Sequence, residues 1–437
     1  MKNFRKVLSM VLVFVFVLSL AACGNKDDGK DAGKNTDGKA TIKISWWGGD
    51  KRHTATQNAV KKFMELNPDI KVEMQYGAWD GWEKSMSTAF YTNSAPDVNQ
   101  INWAWITDFS ADGSKFKDLS KLTDLDLSQF DEAALKECTV ADEVQAVPVS
   151  MTGRIFYWNK ATFEQAGIAV PTSLAELKDA GATFKEKLGD EYYPLALGEY
   201  DRMILMVYYL ESVYGKDWVK DGQLNYTAEE ITKGLEFIKS LEEAHVTPTI
   251  ETILGDGAQS LDKNPKWMEG KYAGIFEWDS SATKFQDALG KGNEGNFVVG
   301  NFFEDFGDHK GGFSKVSLAF AISETTKYPE ACAKLLNFLL NEEEGVKIMA
   351  SERGIPLSKK ALAICKENNL LDPVVAEANE KVLSWTQFSL DTKFESSSLK
   401  SSDGVYYEAM QNLSYGESTA AEAADILVKG ITKALAE

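Results

Sequence analysis

Apolar and polar residues alternate as in a β-strand in three short segments after residue 40, and apolar residues between these segments recur with the spacing of an α-helix. The predicted elements are a strand around Ile42 and Ile44, a helix over 54–67, a strand over 70–76, a helix over 82–91 and a strand over 97–101. Pro68 ends the first of these helices, because proline disrupts a helix interior. Strands that alternate with helices predict a parallel sheet, because parallel neighbours need a crossover connection.

The rest of the chain continues with longer segments of the same two periodicities. They predict an extended segment over 145–158 with a bend at Gly153, followed by helices up to residue 188 and over 200–214. Further strands are predicted over 270–277 and 315–323. The chain then continues with a helix that begins at Pro329 and ends with a capped helix over 418–435.

A chain of 437 residues is too long for one core of typical size, so two domains are expected. We predict an α/β fold of two lobes, each with a central, mostly parallel sheet flanked by helices, joined by hinge crossovers near Ser150, Ile275 and Ile322. The N-terminal lobe is predicted to comprise 41–149 and 275–322, and the C-terminal lobe 150–274 and 323–437. Such an arrangement forms a cleft that can close around a small ligand.

The first residues have the pattern of an export signal. Three positive charges within residues 2–6 precede an apolar run over 7–20, which is short for a membrane span. The run ends in Leu20-Ala21-Ala22-Cys23-Gly24, which resembles the bacterial lipobox, in which the cysteine is acylated, for example with palmitate, and becomes the mature N-terminus. We therefore predict a lipoprotein signal peptide over 1–22 and a lipidated Cys23 at the start of a flexible tether over 23–40, which is rich in Gly, Asp, Lys and Asn. The alternatives are an uncleaved membrane helix or an ordinary secretory peptide.

The net charge of −19 disfavours nucleic acid or an anionic lipid surface as a partner. Apart from Cys23, the cysteines are Cys138, Cys332 and Cys365, which are odd in number and widely spaced, so free thiols are expected rather than a disulfide framework. The three histidines show no paired spacing with cysteines, and neither a metal nor a cofactor is predicted.

Tryptophans recur where the predicted strands end, which is the edge at which open α/β sheets bind ligands. These tryptophans are Trp46, Trp47, Trp79, Trp103, Trp105 and Trp278. Polar side chains that could form directional hydrogen bonds lie among or near them: Asp50, Arg52, Asp80, Asn102, Arg154 and Asp279. Indole planes with polar neighbours suit a sugar, which has flat CH faces edged by hydroxyl groups. The alternative for each tryptophan is core packing, and a few of these residues are expected to be purely structural.

Several motifs resemble those of the carbohydrate-binding components of ABC importers, the family 1 extracellular solute-binding proteins of maltose and oligosaccharide type. The motifs are SWWGG at 45–49, WDG at 79–81, PDV at 96–98, NWAW at 102–105, GRIFY at 153–157, PTSLAEL at 171–177, GKYA at 270–273 and ERGIPLS at 352–358. The likeness is greatest to the oligogalacturonide-binding branch. It implies a lipid-anchored, extracytoplasmic and monomeric receptor that closes on an oligosaccharide and delivers it to a membrane permease. The ATPase is expected on a separate chain, because the phosphate-loop pattern GxxxxGK[ST] does not occur in this sequence.

An acidic sugar would need a guanidinium group, which pairs with a carboxylate through two hydrogen bonds. Arg52 and Arg154 are the candidates because the resembled branch also has arginine at these positions, and Arg202 is a third choice. The alternative is that Arg154 braces the hinge and Arg52 covers a helix surface. A uronate-containing ligand is therefore a hypothesis within the broader prediction of an oligosaccharide.

Two other functions remain open. A glycan-cleaving lipoprotein would need a pair of carboxylates at the scissile bond, and 66 acidic residues could supply one, although no particular pair is indicated. A receptor of the same fold for another small solute, such as a peptide, would need fixed anchors for charged termini and fewer stacking planes. We predict a binding protein rather than an enzyme.

Overall fold

The structure is a computed structural model that describes residues 40–436 except 80, 259 and 389. The predicted signal peptide, the acylated Cys23 and nearly all of the tether lie outside the described residues, as does Asp80. Within the described part of the chain, no helix is both long and apolar enough to cross a membrane.

The described residues contain twelve strands and eighteen α-helices. The strands are β1 Ala40–Trp47, β2 Ile70–Gly77, β3 Val98–Asn102, β4 Thr139–Val140, β5 Glu143–Val144, β6 Val147–Thr152, β7 Arg154–Asn159, β8 Val219–Lys220, β9 Gln223–Leu224, β10 Gly274–Trp278, β11 Phe297–Val299 and β12 Lys315–Ile322. The helices are α1 Asp50–Leu66, α2 Trp82–Tyr91, α3 Trp105–Ser110, α4 Glu132–Lys136, α5 Lys160–Ala166, α6 Leu174–Lys187, α7 Glu199–Tyr214, α8 Ala228–Glu243, α9 Ile250–Gly255, α10 Pro265–Met268, α11 Ala282–Ala288, α12 Pro329–Asn341, α13 Glu343–Met349, α14 Lys359–Glu367, α15 Pro373–Trp385, α16 Ser397–Lys400, α17 Val405–Tyr415 and α18 Ala420–Ala436.

The first sheet has five strands in the order β2-β1-β3-β12-β6. Strand β1 is parallel to both β2 and β3, which confirms the parallel sheet predicted from the β-α-β-α-β pattern. Strand β12 comes from much later in the chain and is antiparallel to both β3 and β6. The carboxyl ends of β1, β2 and β3 therefore meet at one edge of this sheet.

One face of the first sheet packs on a cluster of buried apolar side chains. Ile42 and Ile44 of β1 are fully buried, as their alternation predicts, and they lie in the same cluster as Phe63 of α1 and Phe338 of α12. The ring centroids of Phe63 and Phe338 are 5.6 Å apart. Helix α1 begins four residues before the predicted start, because Gly49 is extended and Asp50 already has helical geometry.

The second sheet has three strands in the order β10-β7-β11. Strand β7 is antiparallel to both neighbours, so this sheet differs from the mostly parallel sheet predicted for each lobe. Parallel pairing adjoins it only as isolated bridges within the described residues, for example between Ala196 and Ile275. Strand β7 begins only two residues after β6 ends, so it can belong to another sheet only if the chain bends sharply between them. The periodicity of apolar residues does not reveal such a bend.

The chain passes from the first sheet to the second at Gly153, between β6 and β7. A side chain there would have its Cβ 2.5 Å from Cγ1 of Val382 and 2.9 Å from the carbonyl oxygen of Phe313, so glycine is needed for this close approach. The crossing lies three residues after the predicted point at Ser150. The predicted boundary at 275 falls inside β10, which pairs along its whole length with β7; the return to the first sheet lies between β11 and β12.

Candidate functional site

Three indole rings meet at the carboxyl ends of the parallel strands. Trp47 is the last residue of β1, Trp79 follows β2, and Trp105 begins α3 just after β3. The ring centroid of Trp47 is 5.1 Å from that of Trp79 and 5.4 Å from that of Trp105. The rings of Trp79 and Trp105 are stacked with their centroids 6.1 Å apart. The parallel pairing of β1 thus assembles an aromatic cluster from residues distant in sequence.

The three rings differ in what they offer to a ligand. Trp79 is 38% exposed, which is unusual for so large an apolar side chain, and Trp47 is partly exposed. Trp105 is fully buried beneath them, and its Nε1 donates a hydrogen bond of 3.2 Å to Oε1 of Glu83. Trp79 and Trp47 therefore form the accessible stacking surface, and Trp105 supports it.

Trp46 and Trp103 are core residues in this structure, contrary to the stacking role predicted for them. Successive residues of a strand point to opposite faces, so Trp46 points away from the cluster that contains Trp47. It is fully buried, stacks on Tyr76 at 4.9 Å between ring centroids and donates from Nε1 to Nδ1 of His53. Trp103 is 2% exposed, and its Nε1 donates to the carbonyl oxygen of Glu137 at 2.8 Å.

Trp278 lies in a second aromatic and cationic group. It is the last residue of β10 rather than the residue after the strand, and it is partly buried. The guanidinium carbon of Arg154 lies 4.9 Å from its ring centroid, and Nζ of Lys315 lies 4.8 Å from it. Both distances are typical of cation–π contacts, so two cations hold this indole.

A buried charge network adjoins Trp278. Nζ of Lys315 donates to Oε2 of Glu395, and both side chains are almost completely buried. Nζ of Lys400 lies 3.7 Å from the same oxygen, and the hydroxyl of Tyr200 donates to Oε1 at 2.8 Å. Burial acts to raise the pKa of Glu395, but the two lysines and these hydrogen bonds outweigh it and lower the pKa to about 2. The carboxylate is therefore ionised, and the network was missed in the sequence because its members meet only in the fold.

The segment around α16 borders the aromatic cluster. The hydroxyl of Ser397 donates to Oε1 of Glu83 at 3.0 Å, and Nζ of Lys400 lies 6.0 Å from the ring centroid of Trp79. Asp108 of α3 is an exposed residue, but nearby protein atoms partly remove its carboxyl group from water. This desolvation, together with the negative charge of Glu83, raises the pKa of Asp108 to about 7, although the positive charge of Lys400 opposes the increase. Carboxylates and an ammonium group thus border the exposed indole.

The guanidinium group of Arg154 is already paired with other groups of the protein. Its guanidinium pairs with Asp201, lies 3.8 Å from Glu277 and donates to the carbonyl oxygen of Phe276 at 2.7 Å. The side chain is 4% exposed. In this structure Arg154 therefore braces the start of β7 beside the crossing at Gly153, in line with the alternative that it braces the hinge. Arg202 is likewise buried and paired with Glu242.

Asp279 is a buried structural carboxylate here. It accepts hydrogen bonds from Nδ2 of Asn379 at 2.6 Å, from the hydroxyl of Thr152 and from the backbone N–H of Ser280 at 2.6 Å. Burial raises its pKa to about 6, and these hydrogen bonds limit the increase. The side chain ties β6 to α15 and has no accessible surface to offer to a ligand.

The remaining predicted residues lie at the first helix and after β3. Asp50 is exposed at the start of α1, and Asn102 is 9% exposed with its Oδ1 accepting from the backbone N–H of Ala104 at 3.1 Å. Arg52 is partly exposed next to Trp47, to whose carbonyl oxygen its Nη1 donates at 3.4 Å. Among the predicted polar residues that the structure describes, Arg52 is thus the one that hydrogen-bonds to Trp47, at its backbone carbonyl and not at its indole ring.

Two cavities stand out in the described part of the chain, and no tryptophan lines either of them. One lies among α12, α13 and β6 and includes Val149, Leu339 and Arg353; the other is a surface recess that includes Lys239 and Glu243. In this conformation Ser397 and Lys400 of α16 border the aromatic cluster.

Comparison with known proteins shows similarity in sequence and structure over nearly the whole described chain. The family model for bacterial extracellular solute-binding proteins matches residues 49–346. A periplasmic solute-binding protein of Pectobacterium atrosepticum is 32% identical with a TM-score of 0.84, over 91% of this chain and 99% of its own. A periplasmic oligogalacturonide-binding protein of Yersinia enterocolitica, solved with saturated digalacturonic acid, is 32% identical with a TM-score of 0.85, over 91% and 98% of the two chains.

Curated relatives match over shorter lengths. The chain covers about half, 51%, of a binding protein of Brucella abortus at 27% identity, using 47% of its own length. It is 25% identical to the diacetylchitobiose-binding protein DasA of Streptomyces coelicolor over 67% of this chain and 63% of DasA. The similarity to the solved structures confirms the predicted two-lobed α/β fold of periplasmic binding proteins. The family match and the 32% identity over nearly the whole chain show that this protein belongs to the family of bacterial extracellular solute-binding proteins.

Proposed function

We propose that this protein captures an oligosaccharide and delivers it to the membrane permease of an ABC importer, without chemical change to the sugar. The proposal rests on membership of a solute-binding family whose relatives include proteins named for binding oligogalacturonide and diacetylchitobiose. One observation carries the proposal to this chain: the partly exposed indoles of Trp47 and Trp79, supported from below by Trp105, at the carboxyl edge of the parallel strands.

This edge provides both kinds of contact that a sugar needs. An indole face covers the CH face of a pyranose ring, and aromatic contacts add about 0.5–1.5 kcal/mol beyond the area they bury. The carboxylates of Glu83 and Asp108 can accept hydrogen bonds from sugar hydroxyls, and the ammonium of Lys400 can donate to them. Trp278 and its cationic neighbours would extend the site toward β10.

The sugar is proposed to lie between the two lobes, which comprise 41–149 with 275–322 and 150–274 with 323–437, except that β10 and β11 are grouped with β7. The contacts of Ser397 with Glu83 and of Lys400 with Trp79 join parts of the chain assigned to different lobes. A ligand that touches both sides stabilises the closed arrangement, because only differential contacts shift such an equilibrium. The protein would function as a monomer.

The test is calorimetric titration of the purified protein with a panel of neutral and acidic oligosaccharides. Trp79→Ala is expected to weaken binding roughly tenfold, by analogy with the loss of one aromatic contact and its buried area. Tyr91→Ala is the matched control, because Tyr91 is 86% exposed at the end of α2. Equal affinities of the Trp79→Ala variant and the wild type would contradict the assignment of the site.

The same samples test the alternatives. Chromatography of the sugars after incubation would reveal shortened products if the protein cleaved glycans, and turnover would refute the receptor function. Saturable binding of peptides but of no oligosaccharide would instead favour a receptor for another solute.

Attachment to the outside of the cell membrane through a lipid on Cys23 is a further part of the proposal. It predicts that labelled palmitate is incorporated into the wild type but not into Cys23→Ala. Equal incorporation into both proteins would refute lipid anchoring at this residue.

A further inference from the structure

A small cavity lies between the first sheet and helices α12, α13 and α14, and no aromatic residue of the proposed sugar site lines it. Its wall is mostly apolar and includes Val149 of β6, Leu339 of α12, Met349 of α13 and Ala361 of α14. The cavity has a volume of about 30 Å³, which admits a water molecule or a small ion and excludes a sugar.

One charged side chain, that of Arg353, lines this cavity. It is 3% exposed, its Nε donates to Oε1 of Gln100 at 2.8 Å, and its Nη1 lies 3.9 Å from Sδ of Met349, another residue of the wall. Its Nη2 is buried without a hydrogen-bond partner among the described residues. The guanidinium therefore adjoins the cavity with a donor to spare.

The positive charge of Arg353 is not balanced at close range. Burial and the charge of Arg52 hold the pKa of Arg353 well below its ordinary value, and the charge of Glu352 opposes this only in part. Within the described ranges, Glu352 forms no ion pair with either arginine, and burial raises its own pKa. A guanidinium removed from water without an anion is unfavourable, so a counter-ion in the cavity would stabilise it.

The loop that carries Arg353 is fixed against strand β6. The hydroxyl of Ser150 donates to the carbonyl oxygen of Arg353 at 2.6 Å. The backbone N–H of Leu357 donates to the carbonyl oxygen of Val149 at 2.9 Å. Together with the bond to Gln100, these contacts hold the guanidinium in one place, as a binding site requires.

Other polar groups of the wall already have partners. The hydroxyl of Ser358 donates to Oδ1 of Asn341 at 2.8 Å and accepts from the backbone N–H of Ala361 at 3.2 Å. The backbone N–H groups of Ala350 and Gly354 donate to carbonyl oxygens of nearby residues. A buried water needs about two to four polar partners, whereas a cation with a spare donor in an apolar cavity suits an anion.

We propose that this cavity binds a monovalent anion of the size of chloride, with the guanidinium of Arg353 as its counter-charge and hydrogen-bond donor. The ion stabilises the folded protein, because the cavity exists only in the folded state. It also secures Gln100, whose Nε2 donates to the carbonyl oxygen of Trp47 at 3.1 Å. The site is separate from sugar capture and does not depend on it.

The first experiment measures thermal unfolding in sodium chloride and in sodium gluconate at equal sodium concentration, because gluconate is too large for the cavity. With chloride at about ten times its dissociation constant, the wild type is expected to melt about 1–2 °C higher than in gluconate. The difference should level off as the salt concentration rises, which distinguishes a filled site from a general salt effect. Bromide should act in the same way as chloride.

The variants assign this difference to the cavity. Arg353→Met replaces the cation by an apolar side chain of similar length and is expected to abolish the difference between the two salts. Lys347→Met is the matched control, because it removes one positive charge from the exposed side of α13 and should leave the difference unchanged. If Arg353→Met does not fold, Ala361→Leu decides, since it fills the cavity while Arg353 remains, and it should also abolish the difference.

Diffraction from crystals grown in bromide locates the ion. An anomalous peak is expected in the cavity at hydrogen-bonding distance from the Arg353 guanidinium, and none there in Ala361→Leu. A water molecule in place of the peak, an equal response of the wild type to chloride and gluconate, or a salt difference that persists in both variants would overturn the proposal. Failure to bind any sugar, with the bromide peak present, would refute the proposed function alone.

Discussion

The buried pair of Lys315 and Glu395 gives a quantitative test of the energetics around the site. Its side chains are 4% and 1% exposed, so solvent screens the pair little. Lys315 and Lys400 lower the pKa of Glu395, which stabilises the fold, whereas burial lowers the pKa of Lys315 itself to about 8, which opposes it. The magnitude is therefore taken from the loss of one partner of a buried pair, which costs about 3–5 kcal/mol.

Lys315→Met and Glu395→Gln are therefore each expected to lower the free energy of unfolding at pH 7 by about 3 kcal/mol, measured by urea denaturation. The double variant should cost clearly less than the sum, because the second change removes a charge that the first left unpaired. Lys347→Met and Glu343→Gln form the surface control, since this pair is 41% and 65% exposed and should leave the unfolding midpoint nearly unchanged.

The pH dependence follows from the direction of the pKa change. A carboxyl group with a lowered pKa in the folded state stabilises the protein fully above its unfolded pKa of 4.5, and this contribution is lost as the pH falls from 4.5 toward 2. The wild type should lose its advantage over Glu395→Gln across this interval. Additive costs in the double variant, or a difference between the two proteins that does not change with pH, would refute the reasoning.

Two further changes test the packing and the helix ends. Gly153→Ala should lower the free energy of unfolding by about 1–3 kcal/mol, because the new methyl group would meet Val382 and the Phe313 carbonyl, whereas Gly49→Ala has nothing within 4 Å and should have a much smaller effect in the same urea titration. Thr227→Ala should cost about 1 kcal/mol, since the Thr227 hydroxyl caps the N–H of Glu230 at the start of α8. The control Thr183→Ala lies inside α6, where alanine favours the helix, so an equal loss there would contradict the capping argument.

Local periodicity predicted the elements of the first sheet well. Trp82, Met86 and Phe90 are spaced four residues apart and are all buried in α2, whose bounds agree with the prediction. Ile42, Ile44 and Trp46 lie on one face of β1 and Trp47 on the other, so the strand period alone also accounts for the burial of Trp46 with the two isoleucines and for the place of Trp47 in the aromatic cluster.

The contacts that complete the site depend on distant parts of the chain and were not predictable in this way. Lys315 and Glu395 are 80 residues apart, and nothing in the local sequence of either predicts that they meet. Arg353 was noted only as part of a motif, because its lack of a carboxylate partner becomes visible only when its surroundings are known. The antiparallel second sheet was missed for the same reason, since strand direction depends on the bend at Gly153.

The position of β12 in the middle of the first sheet has a consequence for the order of folding. Ala319 pairs with Ile101, so this ladder joins residues more than 200 positions apart, and among the described strands β6 is attached to the sheet only through β12. A nascent chain therefore has unpaired edges on β3 and β6 until residue 322 is available, and the sheet must form late and through long loops. A fragment that ends before β12 should aggregate rather than fold, even though it contains every tryptophan of the site.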